Sequence, residues 1–350
     1  MKQRTALALV IIAAIGCIAV MSSSMLGQFI QPDLRARRSP GFYFSASKTA
    51  AVFPVPEKGG SVSLVFFDRR TGQTKILRRD GSLRAPYLSA DGQRLIAIRQ
   101  RGKQQELLAC TIANWTCRSL VQTENSLDWP VEIREGVIAY SLSPPVPWGD
   151  GGTRHASQDI WLWQNGSSKQ LTNLQLYSLS AISFTNEEVF FSALGSLRTG
   201  PLLPKSDPAA KTQSEIFRLP FDLERLTVAR ANKQLQSQQW MHGVSSIASV
   251  SMDGEYIAFL NAQVPPVNYR YDVAVVGLKN GKVKRFESAG VSYSRPAFVN
   301  QSVFANDILD GRYRINLLDI ETGEQQTMVE IPWKRIASGR METKELSVQH

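Results

Sequence analysis

A paired hairpin recurs along this chain and restricts its fold more than any other feature. It is seen in "DIWLWQNGSSKQLTNL" (Asp159–Leu174). Ile160, Leu162 and Gln164 fall on one side of a strand, Trp161 and Trp163 on the other, and Lys169–Thr172 returns after Asn165-Gly166. A period of two marks a strand, and Asn-Gly tolerates the positive φ of a tight hairpin turn. One hairpin alone is marginal in water. It needs neighbours, and the chain supplies them.

"PYLSADGQRLIAIRQ" (Pro86–Gln100) is a strand, an Asp-Gly turn and an alternating apolar strand, and "ASVSMDGEYIAFLNA" (Ala248–Ala262) repeats it almost position for position. Degenerate copies lie at Tyr43–Val55, Val131–Ser143, Ile182–Leu194 and Pro296–Ile308. Each copy is followed by a second hairpin like the first one quoted, which makes six paired-hairpin units. Their spacing of roughly 40–70 residues is that of propeller blades with four strands each. A period of two excludes helical repeats, and two β-sandwiches would not repeat the same turn at the same place. The expected fold is all-β: a six-bladed β-propeller with four-stranded antiparallel blades, preceded by an N-terminal hydrophobic anchor or signal helix.

"LSADGQRLIAI" followed by "ELLACTIANWTCRSL", and "VSMDGEYIAF" followed by "DVAVVGLKNG", resemble the WD40-like repeats of TolB-like six-bladed propellers. The resemblance covers Phe42 to Met328, with the family's Ser-Pro-Asp-Gly turn standing here as Ser89-Ala90-Asp91-Gly92 and Ser251-Met252-Asp253-Gly254. It implies the fold and an envelope location.

The N-terminus points to export. No charged residue occurs between Arg4 and Asp33, and Ala6–Met21 is almost wholly apolar. That length falls between a signal core of ~7–15 residues and a spanning helix of ~20. Three fates stay open: an uncleaved anchor, a cleaved signal, or lipidation at Cys17, which follows Ala14-Ile15-Gly16. The expected division is 1–24 signal-anchor or signal peptide, 25–41 linker, 42–338 propeller and 339–350 tail. Beyond Cys17 the cysteines are Cys110 and Cys117, flanking "TIANWT". That spacing can set both thiols on facing hairpin strands, within the ~4.4–6.8 Å between Cα atoms that a disulfide spans. The body is therefore expected on the periplasmic or extracellular side.

The formal net charge is +10, but the basic residues are scattered over strands and turns without an aromatic-basic motif, and no nucleic-acid partner is expected. Gly-x-Ser-x-Gly, a phosphate loop and a His-x-x-x-His pair are all absent from the sequence, and His155, His242 and His350 are far apart. No metal, cofactor or catalytic residue is assigned. Asp91 and Asp253, each before Gly, read as turn residues, and the Trp161/Trp163 pair as packing.

Long excursions interrupt three units at the same point, between first and second hairpin: Ser143–Gln158, Gly195–Ser214 and Asn261–Arg270. Equivalent connections of a propeller emerge on one face. That face is expected to be irregular and to carry Trp148, Arg154, His155, Arg198, Tyr269 and Arg270, residue types favoured as binding anchors. The sequence thus points to a non-catalytic, membrane-tethered, extracytoplasmic propeller that binds an envelope protein or glycan. The alternative is a propeller hydrolase, lyase or cyclase with residues dispersed around the central channel.

Overall fold

The computed structural model describes residues 44–56, 62–78, 83–148, 152–155, 157–176, 179–193, 215–228, 244–251, 254–262, 271–288, 290, 296–299 and 301–332. The apolar N-terminal run, Cys17, Arg198, Tyr269 and Arg270 lie outside them.

Blade 1 consists of β1 (Ser45–Ala46), β2 (Ala50–Pro56), β3 (Val62–Asp68) and β4 (Gln73–Arg78). Blade 2 consists of β5 (Leu83–Leu88), β6 (Arg94–Arg101), β7 (Gln104–Thr111) and β8 (Thr116–Thr123). In blade 3, β9 (Ser126–Arg134) and β10 (Val137–Ser143) are followed by the inserted pair β11 (Pro145–Trp148) and β12 (Gly152–His155). The blade then resumes with β13 (Asp159–Gln164) and β14 (Ser167–Gln170). Blade 4 is β15 (Leu179–Phe184), β16 (Glu188–Ala193), β17 (Glu215–Asp222) and β18 (Thr227–Val228). Blade 5 is β19 (Val244–Val250), β20 (Tyr256–Ala262), β21 (Tyr271–Gly277) and β22 (Val283–Phe286). Blade 6 is β23 (Ala297–Val299), β24 (Ser302–Leu309), β25 (Arg312–Asp319) and β26 (Gln325–Pro332).

Each blade is a four-stranded antiparallel sheet whose strands pair in chain order. The first strands touch in a closed cycle, β1 to β5, β9, β15, β19, β23 and back to β1. They therefore line the axis of the ring, with the fourth strands at its rim. This is the six-bladed propeller that the repeat implied.

The period-two pattern now has its physical cause. Every blade is sandwiched, so both faces of a strand must be apolar. Along β6, Leu95 and Ala97 join the core shared with blade 1, while Ile96 and Ile98 join the core shared with blade 3. Along β13, Ile160 and Leu162 pack toward blade 4, and Trp163 with Trp161 toward blade 2. Trp163 is buried and the guanidinium of Arg118 sits 5.4 Å from its ring centroid, so packing is its role. The Asn165-Gly166 turn has φ of 51° and 81°, the positive pair of a tight hairpin. Asp159, which opens the strand, is buried and accepts hydrogen bonds from Thr172 Oγ1 (2.9 Å) and the Leu174 amide (2.6 Å). It ties both ends of its hairpin together.

The ring closes through side chains. Because blade 1 and blade 6 are each complete from consecutive strands, their junction rests on Phe44, Phe53 and Phe67 against Phe304, Tyr313 and Ile315. Phe53 and Tyr313 stack with ring centroids 5.5 Å apart. Fully burying such side chains stabilises the fold by about 1.5–3 kcal/mol each.

Cys110 and Cys117 form the disulfide, directly opposed on β7 and β8. Their Cα atoms lie 4.0 Å apart, closer than the expected range.

Candidate functional site

In this topology the connections from second to third strand, and from fourth strand to the next blade, leave at one end of the blades. The first-to-second and third-to-fourth turns leave at the other. The three excursions all join second to third strands, after β10, β16 and β20. Their anchoring strand ends therefore share one face of the ring.

Part of that face is regular, which corrects an expectation. Ser143–Gln158 is not a wholly irregular loop, because β11 and β12 form a two-stranded sheet. Its register pairs Trp148 with Gly152, Val146 with Arg154 and Pro145 with His155. Three of the residues singled out in the sequence thus share one hairpin. Pro145 and Pro147 are tolerated because a two-stranded ribbon consists only of edge strands.

Below the hairpin, the inner rim carries residues that the sequence pattern concealed. The strands β5 and β9 begin alike, Leu83-Arg84-Ala85-Pro86 and Leu127-Asp128-Trp129-Pro130. Both are bulged, with register shifts against β6 and β10, and both put a non-glycine residue at positive φ: Ala85 at 49° and Trp129 at 51°. The bulges bring the equivalent residues Arg84 and Asp128 together, Nη1 to Oδ2 3.4 Å. Arg84 Nη2 donates to Gln105 Oε1 and to the Leu127 carbonyl, each at 2.7 Å, and the Leu127 amide donates to the same Gln105 oxygen. The indole Nε1 of Trp129 donates 2.7 Å to the Leu179 carbonyl on the inner strand of blade 4. Ser141 Oγ donates to the Asp128 carbonyl from near the end of β10, where the inserted hairpin departs. One polar network therefore joins blades 2, 3 and 4 at the mouth of the channel.

Two further charge pairs stand at this end. Arg99 donates through Nε to Glu106 Oε2 (2.9 Å) and through Nη2 to the same carboxylate. In blade 6, Arg314 Nε and Nη2 donate to the two oxygens of Asp307 (2.7 and 2.5 Å), which also accepts from Ser288 Oγ. The pairs occupy equivalent register positions, two steps inside the last pairs Arg101↔Gln104 and Leu309↔Arg312 but with the signs reversed. The hydrogen bonds from Arg314 to Asp307 hold the guanidinium above its ordinary pKa. Beside this pair, a shallow cleft, partly open to solvent, runs between blades 5 and 6 and is lined by Phe286, Ser288, Asn316 and Gln325.

The opposite face is built of turns. In the Asp-Gly turn of blade 2, Asp91 accepts from Ser89 Oγ and the Gln93 amide, and these bonds hold its carboxyl below the usual range. Asp91 is a turn residue, as its sequence suggested. Nearby, Arg94 reaches across to Glu132 (3.4 Å) and Glu135 (2.6 Å) of blade 3. Burial pushes the Glu132 carboxyl up against the opposing pull of Arg94.

No protein-family model matches the sequence, and no curated protein matches it. Solved structures match the fold. TolB from Acinetobacter baumannii aligns with a TM-score of 0.57 at 13% identity, over 87% of this chain and 67% of that one. A putative TolB from Agrobacterium tumefaciens aligns with a TM-score of 0.50 at 14% identity, over 77% of this chain and 88% of that one. A puromycin hydrolase aligns with a TM-score of 0.54 at 10% identity over 83% of this chain, which spans 53% of the hydrolase. The fold is that of a TolB-like six-bladed propeller.

Proposed function

We propose that this chain is an extracytoplasmic propeller, tethered to a membrane through its N-terminal apolar segment, that binds a protein or glycan partner on its loop-bearing face and performs no chemistry. The observation that carries the proposal is the added chain at one end of blades 3, 4 and 5. There the β11–β12 hairpin departs, and the strand ends that anchor the excursions after β16 and β20 lie on the same face of the ring. A rigid scaffold bears little ordering cost on binding, and its loops supply the contacts. Trp148 and Tyr269 would bury apolar area, while Arg154, Arg198 and Arg270 would meet acidic groups, with His155 beside them.

Two further observations favour binding over acid–base work at this end. The carboxylates of Glu106 and Asp307 are each held by an arginine, and Asp128 lies against Arg84. The Cys110–Cys117 bridge and the apolar N-terminal run favour an oxidising, exported setting. The test is capture of the partner by the intact chain and by Trp148→Ala and Arg270→Ala variants, with thermal unfolding measured alongside. Weaker capture at unchanged stability is expected. Equal loss of both would make these packing residues, and unchanged capture would move the site off this face.

A further inference from the structure

Resting on that proposal and narrowing its partner, we infer that the outer edge of β12 is a docking site for an extended acidic peptide segment, which joins the β11–β12 ribbon as a third strand. The argument starts from proline. In the ribbon's register Pro145 pairs with His155 and Pro147 with Thr153, while Val146 pairs with Arg154 and Trp148 with Gly152. Antiparallel partners alternate between pairs that exchange two hydrogen bonds and pairs that exchange none. Proline has no N–H, so its two pairs cannot be the bonded ones. The bonded pairs are therefore Val146↔Arg154 and Trp148↔Gly152, and the backbone groups of the alternate residues point outward.

The two edges differ as a result. That of β11 carries the carbonyls of Pro145 and Pro147 but no amide at either residue, so it cannot complete a ladder. That of β12 carries both N–H and C=O of Thr153 and of His155, about 6.6 Å apart along the strand. Among the described residues no third strand pairs with the ribbon. A two-stranded hairpin is marginal alone in water, and an added strand gives this edge partners while stabilising the hairpin. An extended polypeptide matches the edge in period and in its alternation of donor and acceptor, the strand-addition mode of recognition. Four of the six rim strands offer poorer edges, since β4, β8 and β26 are bulged against their neighbours and β18 has only two residues.

Charge selects the peptide. Arg154 lies between Thr153 and His155, at a non-bonded position of the new antiparallel ladder, where cross-strand neighbours approach most closely. An aspartate or glutamate opposite it is stabilising, and a lysine is not. The same rule disfavours a second copy as occupant. Antiparallel self-pairing through both Thr153 and His155 would set Arg154 directly opposite its own counterpart.

The probe is a blocked, fluorescein-labelled heptapeptide of alternating valine and threonine with glutamate at its centre, tested beside a central-lysine version. Fluorescence anisotropy with the full-length chain reads affinity, and amide hydrogen exchange with unlabelled peptide reads the edge. Saturable binding is expected, weakened about tenfold or more by Thr153→Pro, which deletes one outward N–H and keeps the ribbon's own bonds. Thr153→Ala, which keeps that N–H, should leave it unchanged, and the central lysine should weaken it severalfold. In the unsubstituted chain the peptide should slow exchange at Thr153 and His155, a readout that stands even if Thr153→Pro loses the hairpin. Equal binding by Thr153→Pro, no preference for glutamate, unchanged exchange at those amides, or no binding at millimolar peptide overturns the inference. So does a concentration-dependent dimer in sedimentation that Thr153→Pro abolishes, because the edge then belongs to a second copy. If partner capture still depends on Trp148 and Arg270 in any of these cases, the edge site fails while the loop-bearing face stands.

Discussion

Replacing Gly92 by Ala should be markedly more destabilising than the same change at Gly102, although both glycines hold positive φ, 73° and 59°. A left-handed backbone costs an alanine about 1–2 kcal/mol, and that term is common to both sites. Around Gly102 a new Cβ would meet nothing within 4 Å. At Gly92 it would lie 2.4 Å from Thr49 Oγ1 and 2.9 Å from Ser47 Oγ, across the junction with blade 1. Thr49 can rotate away, but Ser47 is buried and its hydroxyl accepts the amides of Thr49 (3.3 Å) and Ala50 (3.2 Å). Displacing it exposes those donors to loss of their partner, about 1–3 kcal/mol more. The expected total at Gly92 is about 2–5 kcal/mol against about 1–2 at Gly102. Urea unfolding of both variants measures the difference. A Thr49→Ala background should recover part of the Gly92→Ala loss, because it removes the closer of the two clashes. Equal losses at the two glycines, or no coupling to Thr49, would refute the idea that the Asp-Gly turn of blade 2 is shaped by its contact with blade 1.

Three other outcomes follow from the same structure. Reducing the Cys110–Cys117 bridge should lower stability by about 2 kcal/mol at most, because it closes a short loop that β7–β8 pairing already constrains; a larger loss in reduced-versus-oxidised urea unfolding would give it a wider role. Asp307→Asn should cost about 3 kcal/mol, since it leaves the mostly buried Arg314 without its anion; chemical denaturation reads this directly, and a near-neutral result would contradict the pairing. Burial raises the folded-state pKa of Glu132 above its unfolded value, so the folded chain holds that proton more tightly. Its contribution therefore favours folding at low pH and is lost as pH rises from the usual glutamate range through the raised value. Glu132→Gln should remove that fall from the stability–pH curve, and an unchanged curve would contradict it.

The repeat was legible because its physics is local. Alternation along β6 and β13 reported strands with two buried faces, and Asn165-Gly166 and Asp91-Gly92 reported turns that need positive φ. The cysteine spacing sufficed for the bridge. What escaped notice depended on contacts between strands and blades. Pro145 and Pro147 read as loop, yet a two-stranded ribbon has no central strand for proline to disrupt. Arg84 and Asp128 lie far apart in sequence and meet only because two bulges are equivalent. The signal was present in the parallel of Leu-Arg-Ala-Pro with Leu-Asp-Trp-Pro, but its meaning required knowing that first strands neighbour one another around the axis. The cross-strand pairs Arg99–Glu106 and Asp307–Arg314 were hidden similarly, being the same device with its signs exchanged.

The central claim is that the face bearing the added chain meets the partner, and site-specific photocrosslinking in cells tests it most directly. A photoreactive residue would be placed singly at Trp148 and Arg270, in the excursions after β10 and β20, and at Asn165 and Lys282, in turns between third and fourth strands. Crosslinked species of higher mass from Trp148 and Arg270, and none from Asn165 and Lys282, are the expected result. Crosslinks from the two turn positions, with none from the excursions, would contradict the claim.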